Sequence, residues 1–287
     1  MDYMIDIAMN CGIFIILAVS LNLINGICGQ FSLGHAGFWA VGAYTSAYFS
    51  LLDYPLPMPL YFFLASVFSF ITAAISGVII AVPCLRLRGD YLAIATLGFS
   101  EIIRILIINN KALGAATGLT SIPDWSNIFW IYGWVIVTII IIANILRGTH
   151  GRAIISIRED EIAAESMGIY TFKYKTLAFV IGAGFAGLAG SLFAHTQQFI
   201  HPTNFSFMWS VIILLMIILG GLGSITGSVV GAIVLTILPE LLRFFGETVS
   251  EWRMVIYSLL LILLMLLRPS GIFGKKELKL SFFGAKS

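Results

Sequence analysis

Runs of about twenty apolar residues, scarcely interrupted by charge, recur along this 287-residue chain. That feature leaves little choice of fold. Hydrocarbon offers no water to the backbone, so a spanning segment must satisfy its own amides as an α-helix or within a closed β-barrel. Barrel strands alternate apolar and polar residues, whereas these runs are continuous. Hydrophobic residues make up 59% and charged residues 10% of the chain, against about 25% charged in soluble domains. The expected class is an all-α polytopic membrane protein with about 8–10 transmembrane or half-membrane helices. The length suits one transmembrane domain over residues 1–287 with no appended soluble domain.

Charge orients the spans. Arg86 and Arg88, the stretch 147–175 and the tail 268–287 hold most of the Lys and Arg, so the positive-inside rule makes these cytoplasmic. The turn 53–59 and the loop 196–207 have no Lys or Arg, and 110–128 has one Lys; these are expected outside. Full spans are expected near 4–24, 60–82, 91–109, 129–146, 176–195 and 254–267, with a mixed, amphipathic external segment at 239–253. The side on which the N-terminus lies stays open. It has no Lys or Arg within MDYMIDIAMN, so insertion by the first span, rather than a cleaved signal, is expected. Cys11, Cys28 and Cys84 have no metal spacing and read as small buried hydrophobes.

Two glycine-dense stretches interrupt the pattern. Residues 26–44 carry five Gly, and GGLGSITG (220–227) divides the apolar stretch 208–238 into halves too short for ordinary spans. Glycine permits close helix approach and lets backbone break at membrane depth where protein or a water-filled path surrounds it. Broken helices in both halves point to a transport site and suggest an internal duplication. Candidate path residues are Gly34, His35, Gly220, Gly221 and Gly223, with Thr96, Ser100 and the i, i+3 pair Glu101–Arg104 on the 91–109 helix. Tight packing and a structural ion pair are the competing readings for the same residues.

The stretch 147–175 is the one long polar interruption, with five basic and four acidic residues. Ser156 followed by Glu159 fits a capping box, and Gly168 fits a left-handed C-terminal cap. The spacing predicts one helix over about 157–167. Ile162, Ala163, Ser166 and Met167 would form one face, and Asp160, Glu161, Ala164 and Glu165 another. This is a knob for a soluble partner, or else a solvated loop.

IREDEIAAESMGI with YKTLAFVIGAGFAGLAGSLFAH resembles the signature region of permease subunits of the branched-chain amino-acid ABC importers, and LRLRGDYLAIATLGFSEIIRI is similar to their M-type subunits. SLGHAGF…GAY is of the same kind, and the likeness runs from about residue 12 to 274. The resemblance implies a coupling helix on Arg158, Glu159, Asp160, Glu161, Ala163, Ala164, Glu165 and Gly168, docking on an ATP-binding subunit. It further implies two ATP-binding subunits, a second, H-type permease, an extracytoplasmic substrate-binding protein, and a bacterial or archaeal cytoplasmic membrane. The substrates would be Leu, Ile and Val; similar permeases move urea, amides or other amino acids. The sequence has no GxxxxGK[ST] phosphate loop, so ATP hydrolysis would lie on partner chains. No catalytic residue, metal, cofactor or nucleic-acid partner is expected. An ion-coupled carrier would need Glu101 or His35 as its titrating group and leaves the charged helix unused. A channel or a membrane-embedded enzyme has less support, since the sequence offers no HExxH, no convincing Ser/His dyad and no paired aspartates in its spans.

Overall fold

The computed structural model describes residues 2–52, 57–87 and 89–243, together with Leu259, Gly271, Ile272 and Gly274. The expected span 254–267 apart from Leu259, most of the tail 268–287, Arg88, and Glu247, Glu251 and Arg253 of the expected external segment lie outside the described residues. The described residues are almost wholly helical, as the apolar runs require. In order they are α1 (Asp2–Asn22), continued by a π-turn (Leu23–Ile27), α2 (His35–Ser50), α3 (Met58–Cys84), α4 (Asp90–Asn109), α5 (Ile128–Arg147), α6 (Thr149–Glu159), α7 (Glu161–Ser166), α8 (Thr171–Gln197), α9 (Phe207–Gly220) and α10 (Ile225–Arg243).

Five of these are long and apolar enough to cross a membrane: α1 with its π-turn, α3, α4, α5 and α8. They sort into two layers. In α1 and α8, 78% of the apolar window is buried inside the chain; in α3, α4 and α5 it is 22–33%. The outer helices turn Phe68, Ile75, Ile79, Ile102, Leu106, Ile136 and Ile140 outward, as a hydrocarbon solvent allows.

The inner layer is built on glycine, because apolar side chains gain nothing by leaving lipid and association depends on close packing. At the crossing of α2 and α8, a methyl group on Gly42 would lie 2.0 Å from the Gly187 carbonyl oxygen, and one on Gly187 would lie 2.2 Å from Ala73 Cβ of α3. Gly190 meets the Trp39 carbonyl in the same way. The bulk displaced from this contact gathers beside it: Trp39 packs edge-on against Phe193, Phe205 and Trp209.

The two ends of the bundle are distinct. One end carries Leu85–Leu87, α6, α7 and the start of α8. At the other end, the Tyr132 hydroxyl near the start of α5 donates to the Ala8 carbonyl at 3.1 Å, and Tyr3 bonds Glu240 near the end of α10. Thus α1 begins at the end of the bundle opposite the basic stretch. Helices α9 and α10 are shorter apolar helices that pack antiparallel about a tight turn, Gly220 against Gly227 and Gly231 against Met216. At 14 residues α9 spans about 21 Å.

Four expectations are corrected. The helix expected over 157–167 is two helices, with Asp160 extended between them (φ −155°, ψ 112°). The Ser156 hydroxyl is occupied with the Ala153 carbonyl, inside a helix that has already begun at Thr149, so the capping box does not form. Asp160 caps α7 instead, its Oδ1 accepting from the amides of Ile162 and Ala163. Helix α8 starts at Thr171, so Lys173 and Lys175 lie within it. Finally, α10 continues through Pro239 to Arg243, the proline giving up the single helical hydrogen bond to the Leu235 carbonyl without ending the helix. The cap at Gly168 (φ +83°) is as expected: the Ile169 amide donates to the Ala164 carbonyl and the Gly168 amide to that of Glu165.

Candidate functional site

At the foot of α1 the apolar run contains Asn22 and Asn25, and the helix widens into a π-turn before the chain leaves it. Residues 28–34 then run back into the bundle without helical structure, and α2 starts only at His35. This is backbone broken at membrane depth, so its freed polar groups must find partners. They find side chains. The Asn25 amide both donates to the Ser32 carbonyl and accepts from its N–H, as a neighbouring strand would. Thr96 Oγ1 of α4 accepts from the Leu33 amide, and Ser210 Oγ of α9 accepts from that of Ala36.

Glycine makes room for these contacts. A methyl group on Gly34 would lie 2.5 Å from the Thr96 carbonyl oxygen, and one on Gly37 would lie 2.9 Å from Ser100 Cα. Gly34, His35, Thr96 and Ser100 are thus brought together. They form a sealed seam between the re-entering chain and α4 rather than an open wall: Thr96, Ser100 and His35 are all buried. The His35 Nε2 lies 2.9 Å from Ser20 Oγ, whose own proton goes to the Leu17 carbonyl, so Nε2 is the donating nitrogen. The Nδ1 atom is buried and has no hydrogen-bond partner among the described residues.

Glu101 and Arg104 form the expected pair, Nε to Oε2 2.7 Å, with 29% of each side chain exposed. They sit half-buried on α4, on a flank beside the exposed Ile102 and Ile105. A methyl on nearby Gly98 would meet nothing within 4 Å. Gly220, Gly221 and Gly223 lie elsewhere, at the turn joining α9 and α10. Gly220 packs on the Gly227 backbone, while Gly221 (φ +117°) and Gly223 (φ +91°) bend the chain. This turn meets the π-turn of α1: the Asn22 side chain accepts from the Gly223 amide at 2.8 Å and donates to the Ser224 carbonyl at 3.0 Å. The two glycine breaks of the sequence are therefore in contact.

Helices α6 and α7 project from this same end. The residues expected to couple divide between two faces. Glu159, Asp160, Ala163, Glu165 and Gly168 are exposed, alongside Ile162 (70% exposed) and Met167 (83%). Ala164 is buried, and Glu161 pairs with Lys175 of α8 at 2.7 Å, the lysine side chain being 4% exposed. Arg158 also turns inward and donates from Nη1 to the Gly26 carbonyl at 2.8 Å.

Sequence reasoning missed Asn22, Asn25, Ser32 and Ser210. The two asparagines did carry a signal: polar residues inside the apolar run LAVSLNLINGI. His195 was missed as well. Its Nδ1 donates to the Pro123 carbonyl at 2.9 Å, its Nε2 accepts from Ser46, and its ring stacks on Trp125, pinning the 110–127 loop to α8.

Crossing helices around a side-chain-satisfied break, with a charged helical pair beneath it, define a polytopic membrane protein of the transport class. Residues 3–265 match the family described as branched-chain amino acid transport system / permease component, and the chain belongs to that family of multi-pass membrane permeases. It is 37% identical to the high-affinity branched-chain amino acid transport system permease protein LivM of Escherichia coli (strain K12), over 98% of this chain and 73% of that protein. It is 26% identical to the corresponding LivH of Salmonella typhimurium, over 93% of this chain and 92% of that protein. A probable LivM permease of Methanocaldococcus jannaschii is 24% identical over 75% of this chain and 68% of that protein. No solved structure matches the chain.

Proposed function

We propose that this chain is the M-type membrane subunit of an ABC importer that carries branched-chain amino acids. In this reading it pairs with an H-type permease, two ATP-binding subunits and an extracytoplasmic substrate-binding protein, in a bacterial or archaeal cytoplasmic membrane. Likeness to both LivM and LivH proteins supports the pairing. The observation that carries the reading is the exposed face of α7. Ile162, Ala163, Glu165, Ser166 and Met167 present apolar and acidic groups to the aqueous side of the bundle that bears the basic turns, the side expected to be cytoplasmic.

ATP binding would close the paired ATP-binding subunits, and α6–α7 would carry that motion into the spans. The half-buried flank of α4 that carries Gly98 and the Glu101–Arg104 pair, beside the lipid-facing Ile102 and Leu106, is the part of this chain proposed to meet the substrate path beside the second permease. Glu101 is already paired and His35 is sealed from solvent, so neither offers the free titrating group an ion-coupled carrier needs. ATP hydrolysis belongs to the partner chains.

The test is a mild-detergent pull-down of the tagged full chain with mass spectrometry of what accompanies it. Recovery of ATP-binding subunits and a second permease is expected. Recovery of this chain alone, in a preparation that still transports leucine, overturns the reading.

A further inference from the structure

We infer that Arg158 and Asn22 form a relay that ties the cytoplasmic helix pair to both glycine breaks, so that movement of α6–α7 bends the ends of α1 and α9 together. The inference rests on the coupling role proposed above and assigns Arg158 to the inner side of that device rather than to the docking surface.

Five contacts converge here. The Arg158 guanidinium, at the end of α6, donates from Nη1 to the Gly26 carbonyl at 2.8 Å. That carbonyl lies in the last turn before the chain leaves the helix, where carbonyls have no amide of the same helix to accept from. The stem of Arg158 lies on Gly29, where a methyl group would be 3.2 Å from Cγ. A methyl group on Gly223 would be 2.5 Å from Nη1, so the α9–α10 turn closes over the guanidinium. From the other side Asn22 takes the Gly223 amide and gives to the Ser224 carbonyl.

The geometry explains why three glycines meet one arginine. Gly26, Gly29 and Gly223 each lack the Cβ that would push the guanidinium or the Asn22 amide away; at Gly26 that atom would lie 1.9 Å from Asn22 Oδ1. It also explains the residue type. A planar guanidinium can hold a carbonyl while its flat face and remaining donors stay against two backbone segments, whereas an ammonium is a single hydrated point. Only 21% of the Arg158 side chain is exposed, and Glu159 Oε1 at 3.7 Å from Nε offsets its charge. Asn22 is fully buried and has no route to a soluble partner. The two residues thus act at different depths on the same turn.

The test uses the full importer, purified as a complex and reconstituted in vesicles, with leucine uptake and ATP hydrolysis measured together. The variants are Arg158→Gln, Arg158→Lys and Asn22→Ala. For Asn22→Ala and Arg158→Gln we expect ATP-binding subunits to remain bound, basal ATP hydrolysis to stay within about twofold, and leucine carried per ATP to fall at least tenfold. Arg158→Lys should recover part of that loss, since an ammonium reaches the Gly26 carbonyl but does not cover the turn. Unchanged leucine per ATP in Asn22→Ala and Arg158→Gln overturns the relay and leaves the docking reading intact. Loss of ATP-binding subunits from Arg158→Gln, with Asn22→Ala coupled normally, also overturns it, because Arg158 would then be a docking residue. Failure of the unaltered chain to hold ATP-binding subunits overturns the coupling reading itself, and the relay with it.

Discussion

Glu161 and Lys175 belong to different helices, and their 2.7 Å contact takes one acid away from the surface where the sequence suggested it would act. Exchange of Glu161 for Ala leaves an almost fully buried ammonium without its partner. The expected cost is about 2 kcal/mol, below that of a wholly buried pair because 28% of the glutamate side chain is exposed. It would appear as a lower melting temperature and faster proteolysis between Arg152 and Lys173, with substrate uptake falling in step with the folded fraction. Glu165 has no such internal task. Glu165→Lys should keep the melting temperature within a degree or so and still weaken capture of ATP-binding subunits, which a pull-down reads directly. Asp160→Ala removes the two amide contacts that start α7 and should cost about 1 kcal/mol. Amide exchange at Ile162 and Ala163 would rise accordingly.

Among the elements, α8 is the most exacting, because Gly187 and Gly190 meet the backbone of neighbouring helices, which cannot swing aside as a flexible side chain can. Gly187→Val would force α8 and α3 apart, a penalty of about 3 kcal/mol at the top of the overpacking range. Loss of monodisperse protein on size-exclusion chromatography would report it, while Gly98→Val, facing open space on α4, should elute as the unaltered chain does. Apolar run length alone located α3, α4 and α5 to within a few residues, and glycine density marked both breaks. The partition of 147–175 into α6 and α7 was not legible, since a Ser-to-Glu spacing satisfies the capping pattern whether or not the serine is already inside a helix. The meeting of the two breaks was equally hidden. It depends on Asn22 reaching a turn some 200 residues away, and pattern within a segment carries no record of such a contact.

For the molecule as a whole, the contacts at the two bundle ends predict opposite exposure of their loops. Cys11, Cys28 and Cys84 are all buried and free, so single cysteines introduced at Met167 and at Thr120 can be labelled with a membrane-impermeant maleimide. Met167→Cys should react only in inside-out vesicles and Thr120→Cys only in right-side-out vesicles; the reverse pattern would invert the proposed orientation. The inner position of α8 has a separate bearing, on how the chain is made. Its 27 residues are enclosed by α1, α2 and α3, and its glycine-rich surface fits those neighbours rather than acyl chains. Ribosomal synthesis delivers those three helices first, so the slot exists when α8 emerges. A rearranged gene that encoded residues 171–243 ahead of residues 1–170 would present α8 to lipid before its neighbours existed, and should yield far less membrane-integrated product than the natural order.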